Sequence, residues 1–560
     1  MNKKFIVRQD IPRAFFYCGI IVAITVITFS PSLNNGFTNW DDDYYVVNNR
    51  DITDITPNNL TKVFSSSYVN NYQPLTMLTY MVEYHFFQLN PVFYHCTSLL
   101  LHIINCLLVF ALIYSLSGKY SVGMLVALLF AVHPMRVESV TWIAERKDLL
   151  SAFFYFLSLL SYIRYLKKED RKFYYLCGLS LLFSLLSKPM GVSQPFILLL
   201  IYNLNNGRIN KKALVETIPF LAIASFFVVL TLFTQKNSDT ISEYSQLSLL
   251  QQICIPFYGI IFYLVKSILP LHLCAFYPFP SKFDNGMTFR LLASPFLVTG
   301  VAFTVYYFRT YSRKLVFGSL YFLITILPVL QIVHVGDTMV AERYTYIPMI
   351  GVYFIFAVLC QFLFKEKIAK NISAKRFLVA VVSILLFIFA CMTHERCKVW
   401  KDSISLWSDI IAKFPVAIAY TNRAAAYGYQ GDYDDAIEDL NQAIALNPKY
   451  SVTYFNRGAA YKAKGNYKYA IEDFSQAITL NPQDFEAYYR RGISYYYQND
   501  YNHAIEDFTH VIKLNPTYSE VYYNLGIANK AKGDIYRALG DFKKACNLGF
   551  DLACKALSGN

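Results

Sequence analysis

Apolar runs of about 16–22 residues, nearly free of charge, recur through the first two thirds of the chain, as at 14–30, 213–234, 315–333 and 377–392. A helix of that length crosses the ~30 Å hydrocarbon layer of a bilayer. Eleven spans are predicted, at about 14–30, 95–116, 120–132, 149–166, 173–187, 190–203, 213–234, 291–308, 315–333, 347–364 and 377–392. The stretch 250–271 is also apolar, but Pro256 and Lys266 interrupt it. A crossing there would move the basic connections around Arg309–Lys314 and 365–376 to the opposite side from their counterparts, so it is read as an interfacial or re-entrant helix.

After His394 the long apolar runs give way to amphipathic helical pairs. Pro415, Pro448, Pro482 and Pro516 follow one another at 33, 34 and 34 residues. In the same frame stand Tyr420, Tyr454, Tyr488 and Tyr522; Ala436, Ala470, Ala504 and Ala538; and Leu440, Phe474, Phe508 and Phe542. Small residues where helices touch, with aromatics filling the gap between stacked pairs, form the tetratricopeptide pattern. The organisation is therefore a membrane domain at 1–393, with a large polar connection at 31–94, followed by repeats within 394–560, at 417–450, 451–484, 485–518 and 519–552.

Composition and charge sharpen this division. Hydrophobic residues make up 55% of the chain and charged residues 16%, against roughly 25% charged in an ordinary soluble domain. Residues 400–560 contain 17 Lys+Arg and 18 Asp+Glu, a net of −1, so residues 1–399 carry +14 and the whole chain +13. That excess sits in the connections holding Lys119, Lys167–Lys172, Arg208–Lys212, Arg309–Lys314 and 365–376, together with Lys3, Lys4, Arg8 and Arg13 at the N-terminus. By the positive-inside rule these face the cytoplasm, and lipid head groups account for the charge without nucleic acid. No small-residue cleavage pattern follows Ser30, so the first span is read as retained. Eleven spans then put 31–94 and the repeats outside the cytoplasm, in the periplasm if the source is a bacterium.

Three clusters fall on that outer side. Trp40 precedes Asp41, Asp42 and Asp43, whose mutual repulsion favours a raised pKa or a cationic partner. The segment from His133 to Asp148 contains Arg136, Glu138, Trp142, Glu145, Arg146 and Lys147. Helical spacing would align Glu138, Trp142 and Glu145, while Arg146 and Lys147 suit a phosphate. Charges kept near a bilayer are costly and tend to mark function. Glu342 and Arg343 follow His334 and Asp337 in a third connection, and Lys188 occupies a tight outer turn. No His, Cys, Asp or Glu set has metal-ligand spacing, so no obligatory metal is expected.

These residues resemble a known family. Phe37, Asp41-Asp42, Asn49, Tyr72–Thr76, Tyr94-His95, Leu129–Pro134, Glu138, Arg146, Asp148–Leu150, Lys188, Gly191, Glu342-Arg343, Tyr346 and Pro348 look like the transmembrane and tetratricopeptide-repeat-containing O-mannosyltransferases. Those are similar to other GT-C glycosyltransferases. The resemblance covers nearly the whole chain, and two positions depart from the family pattern: Pro189 follows Lys188 where an acid is usual, and Arg136 stands where His is frequent. It implies an all-α fold, a multipass GT-C-type domain followed by a repeat solenoid. It also implies transfer of a sugar, mannose in the family, from a polyprenyl phosphate donor to a hydroxyl, that of Ser or Thr in an extracytoplasmic protein held by the repeats. The family's acidic pair falls on Asp41 and Asp42.

Glycosyl transfer needs a base for the acceptor proton and charge to receive the departing phosphate oxygen. Asp41 or Asp42 is expected to be the base or acceptor anchor; Arg146, Lys147 and Arg343 are expected at the phosphate; His133, Glu138, Lys188 and Glu342 support them. No cofactor beyond the lipid-linked donor is expected. The rival reading is a non-catalytic membrane scaffold whose repeats recruit proteins, with a transporter as a weaker third. Cys546 and Cys554, on either side of Gly549, are close enough in a helical hairpin for a disulfide.

Overall fold

The computed structural model describes residues 3–235, 247–279, 285–310, 312–332, 338–367 and 371–558. The described residues are helical, with only isolated β-bridges between Tyr68 and Asn71 and between Tyr277 and Val340. The chain forms two compact units, Met1–Leu406 and Trp407–Asn560.

Among the described residues of the first unit, seven helices are long and apolar enough to cross a membrane: Pro12–Asn34, Pro91–Ser117, Ile143–Lys168, Lys211–Thr234, Leu249–Ile268, Met287–Phe308 and Ile372–Trp400. Tyr120–Val132 and Pro134–Thr141 make an eighth if counted as one span bent by 63°. The sequence count of eleven also took in 173–187, 190–203, 315–333 and 347–364. Those segments fold as the shorter helices Arg171–Ser187, Gln194–Asn206, Arg313–Ile326 and Met349–Phe362, cut short by prolines and polar turns. Leu249–Ile268 is a continuous 20-residue helix with Pro256 inside it; it too is long and apolar enough to cross a membrane.

The helix Pro91–Ser117 shows how the core is made. Asn90 caps it by accepting from Val92 N, and Gly118, at φ 67°, ends it in the left-handed conformation that costs glycine little. His95, Ser98, His102 and Asn105 recur at three- and four-residue intervals and are all buried, so one stripe of this apolar helix is polar and faces inward. Part of the stripe is paired internally: His102 Nδ1 meets the Tyr346 hydroxyl at 2.8 Å, and Asn105 donates to Leu149 O at 2.9 Å. The 31–90 connection folds as short helices and is pinned within the same unit. Gly36 N donates to Lys401 O at 2.8 Å, Asn35 to Cys397 O at 3.0 Å, and Asn39 N to Ser403 Oγ at 2.9 Å.

The second unit is a solenoid of helix pairs, beginning with Ala417–Gln430 and Tyr433–Leu446 and closing with Ser519–Lys532 and Ile535–Asn547, then Asp551–Ser558. Ala436, Ala470, Ala504 and Ala538 are buried together with Leu440, Phe474, Phe508 and Phe542. A Cβ at Gly492 would lie 2.7 Å from the Phe508 ring, so glycine there is what lets the two helices meet. Arg423, Arg457 and Arg491 each fork onto the Asp sixteen residues later, Asp439, Asp473 and Asp507, at 2.7–2.9 Å. In the fourth pair Leu525 takes the arginine position and Asn529 donates to Asp541 instead. Cys546 and Cys554 are joined, Cα atoms 4.8 Å apart, and tie the closing helix to the last pair.

Candidate active site

The turn after Val132 is where the membrane unit builds its charged centre. Pro134 has no N–H to continue the helix and forces His133 into extended backbone (φ −72°, ψ 132°). Three short turns follow, Pro134–Arg136, Val137–Thr141 and Ile143–Glu145, before the long helix starts at Arg146. Glu138, Trp142 and Glu145 are thus not one helical face, as their spacing predicted, because Trp142 breaks the helix (ψ 118°). Tertiary contacts gather them nonetheless.

Glu145 is the hub. Its carboxylate lies 3.2 Å from Lys147 Nζ, 3.0 Å from Lys188 Nζ and 3.4 Å from Arg343 Nε. Lys188 also reaches Asp148 at 2.7 Å, and Arg343 pairs with Glu138 through its guanidinium and through its backbone N–H at 2.9 Å. Glu145, Lys188 and Arg343 come from different segments, the last two from the extended residue before Pro189 and from the turn Glu342–Thr345. Burial opposes their charge, but the facing carboxylates hold Lys188 and Arg343 above their ordinary pKa values.

The first loop enters this cluster by way of Asp41, whose Oδ2 is 3.7 Å from Lys147 Nζ. Its side chain is 20% exposed, whereas Glu138, Glu145 and Asp148 are 1–5% exposed. Burial raises the Asp41 pKa, and Lys147 offsets part of that. Asp42 is different: Oδ2 accepts from Thr38 N at 2.9 Å and Thr38 Oγ1 at 3.0 Å, and Oδ1 accepts from Ala144 N at 2.8 Å. Burial pushes Asp42 up to about 7 against the pull of those three donors. Both of its oxygens are committed to holding the loop against the Ile143–Glu145 turn. Asp43 begins the next short helix, and burial raises its pKa as well.

Beside the charges, Trp40 stacks on Trp142 with centroids 4.7 Å apart, and Trp142 stacks on Trp400 at 5.2 Å. Lys147 lies 5.9 Å and Arg343 5.7 Å from the Trp142 ring centroid, close enough for cation–π attraction.

Three expected members lie apart from this cluster. Arg146, the helix residue before Lys147, is wholly buried and pairs with Glu83, donates to Tyr94 O at 2.7 Å, and lies over the Tyr80 ring. These contacts hold it away from the Glu145 cluster. His133 accepts from Met135 N at 3.3 Å and packs edge-on to Phe389. Glu342 accepts from the Tyr277 hydroxyl at 2.9 Å, and burial carries its pKa to about 7. His334 and Asp337 lie outside the described residues. Glu83 and Trp400 went unnoticed in the sequence; a single carboxylate in the apolar helix Pro74–Phe87 was the available signal for the first.

The tetratricopeptide repeat model matches residues 417–450, 451–484 and 485–518. Among curated proteins the chain is similar to the protein O-mannosyl-transferase F38B6.6 of Caenorhabditis elegans, 24% identical over 450 residues, 77% of this chain and 63% of that one. It is also similar to the human protein O-mannosyl-transferase TMTC4, 25% identical over 471 residues, 72% of this chain and 62% of that one. The Drosophila melanogaster protein O-mannosyl-transferase Tmtc3 is 25% identical over 502 residues, 73% and 52% of the two chains. The chain therefore spans about half to two thirds of the length of these relatives. Among solved structures, MamA is 26% identical over 27% of this chain and 89% of its own, with a TM-score of 0.26.

Proposed function

We propose that this chain is a membrane glycosyltransferase that moves a sugar from a polyprenyl phosphate to a hydroxyl on an extracytoplasmic protein. The observation that carries the reading is Asp41, the most exposed carboxylate of a buried ionic cluster, held 3.7 Å from Lys147 while its neighbour Asp42 is locked in place. In this reading the acceptor hydroxyl attacks the anomeric carbon as its proton passes to Asp41. The bond from that carbon to the phosphate oxygen breaks, and the phosphate departs with the electron pair. Asp41 is the base because its side chain is 20% exposed, whereas Asp42 is 1% exposed and already accepts hydrogen bonds at both oxygens. Asp42 is a positioning residue, and Lys147 and Arg343 hold the base and the carboxylate frame. The names of the relatives support mannose as the sugar and a protein as the acceptor. Such a reaction uses the lipid-linked donor and no resident cofactor or metal.

The repeats are read as the acceptor-binding part, outside the cytoplasm, where a disulfide between Cys546 and Cys554 persists. The test is purified full-length chain with radiolabelled polyprenyl-phosphate mannose and an extracytoplasmic protein extract, a chelator present throughout. Label in protein that is lost with Asp41→Asn is the expected result. Label-free protein with every polyprenyl-phosphate sugar offered would leave the scaffold reading in its place.

A further inference from the structure

We propose that Arg136 binds an oxyanion, the phosphoryl group of the lipid-linked donor, apart from the Glu145 cluster; only the identity of the anion rests on the glycosyl-transfer reading. A guanidinium is charged at every accessible pH and carries five donors in a rigid fork. Arg136 is fully buried, yet its one hydrogen bond runs from Nη2 to the Thr345 hydroxyl. Its Nε and Nη1 make no hydrogen bond of normal geometry. The rings of Phe130 and Tyr346, centroids 5.7 and 5.5 Å from Cζ, hold the guanidinium and leave donors on its edge unused.

The same unit shows what a structural arginine looks like. Arg146, equally buried, has Glu83, Tyr94 O and Ser98 around its fork. Arg136 has no carboxylate partner among the described residues. Asp148, whose charge reaches it, is committed to Lys188 at 2.7 Å and Ser139 at 3.2 Å. The Tyr353 hydroxyl, buried and in no hydrogen bond of normal geometry, faces this guanidinium. Folded proteins seldom leave a buried charge so poorly compensated, because the desolvation cost is large. Once Thr345 gives way, Nε–H and an Nη2–H lie along one edge of the guanidinium, the pair that forks onto Asp473 from Arg457, and match two oxygens of a phosphate; a tyrosine hydroxyl can supply a third donor.

Thr345, the protein group on the fork, belongs to the turn Glu342–Thr345, which also presents Arg343 to the Glu145 cluster. An anion reaching Arg136 displaces Thr345, so that turn is the part of the wall that must yield.

The test is thermal melting of the full-length chain in lipid nanodiscs, titrated with sugar-free polyprenyl phosphate and, separately, with inorganic phosphate. Wild type is expected to gain melting temperature with the lipid. Arg136→Met is expected to bind it about tenfold more weakly or worse, the loss of one charge-assisted contact, while its ligand-free melting temperature is unchanged or higher because an uncompensated buried charge is gone. Arg136→Lys, which keeps charge without the fork, should fall between them. If Arg136→Met does not fold, Arg136→Gln serves, since it keeps a polar donor. A lower ligand-free melting temperature with undiminished lipid response would make Arg136 structural and overturn the proposal. A response to inorganic phosphate but not to the lipid would overturn the donor as its source. Wild type that binds the lipid and transfers no sugar removes the glycosyltransferase reading and leaves this site. Transfer by wild type with undiminished lipid binding by Arg136→Met does the reverse.

Discussion

Three adjacent aspartates in the first loop have three different environments, and their variants should separate accordingly. Asp41→Asn keeps the shape but removes the base, so transfer should fall by roughly 10²–10⁴-fold with no change in melting temperature. Asp42→Asn replaces one of two committed oxygens with a donor facing a donor, at Thr38 or at Ala144. It should lower both the melting temperature and the rate, a pairing Asp41→Asn lacks. Asp43→Asn, outside the cluster, should retain most activity; assays and melts of the three variants together check the set. The pH dependence follows from Asp41 as well. Its pKa is raised by burial, so the acid limb of kcat/KM should lie above the usual carboxylate range, with activity lost as protons fill the base. Lys147 lowers that pKa; Lys147→Gln removes the offset and should move the limb to higher pH. A limb that stays in place, or moves down, would disconnect Asp41 from the chemistry.

At the level of elements, two close approaches carry much of the packing. The helices Arg313–Ile326 and Met349–Phe362 cross at Gly318 and Gly351. A Cβ on Gly351 would fall 2.9 Å from Phe322 N and nearer still to Gly318 O, and backbone atoms cannot rotate away. Gly351→Ala should therefore cost about 3 kcal/mol or more. Gly300→Ala, in a helix with open space around the added methyl, should instead gain about 1 kcal/mol from helix propensity. Thermal unfolding of the two variants in detergent gives opposite signs if the crossing is as described. In the solenoid, Arg457→Met leaves Asp473, 5% exposed, without its forked partner and should cost about 1.5–3 kcal/mol. The corresponding position of the fourth pair already carries Leu525, and Leu525→Met there should be close to neutral. Melting of the full-length chain distinguishes the two positions.

At the scale of the whole chain, the expectation that the repeats lie outside the cytoplasm, drawn from the basic connections and an odd number of spans, is open to direct measurement. Gln430→Cys, at an exposed position, should react with a membrane-impermeant thiol reagent in intact cells stripped of any outer barrier. Reaction only after lysis would place the repeats in the cytoplasm and make the Cys546–Cys554 bond hard to sustain. Much of this organisation was legible from local pattern alone. Hydrophobic runs report burial in lipid or core without reference to distant residues, and a 34-residue repeat specifies neighbours that look the same each time. The run of charge from Glu138 to Asp148 marked the centre for a similar reason, since such residues are rarely kept near a bilayer without partners. Three things were not legible. Spans and shorter helices have the same composition, so their count depended on where turns and prolines ended each helix in the folded unit. Arg146 and Lys147 are adjacent in sequence but a helix points them in different directions, and only the tertiary partners Glu83 and Glu145 decided which is structural. Asp41 and Asp42 are alike in sequence; Thr38 and Ala144 took both oxygens of one and left the other beside Lys147. Arg136 stood out in the sequence only as a departure from the family pattern; its role emerged because the fold buried it and, among the described residues, supplied no carboxylate partner, a property of the space around a side chain that no local pattern encodes.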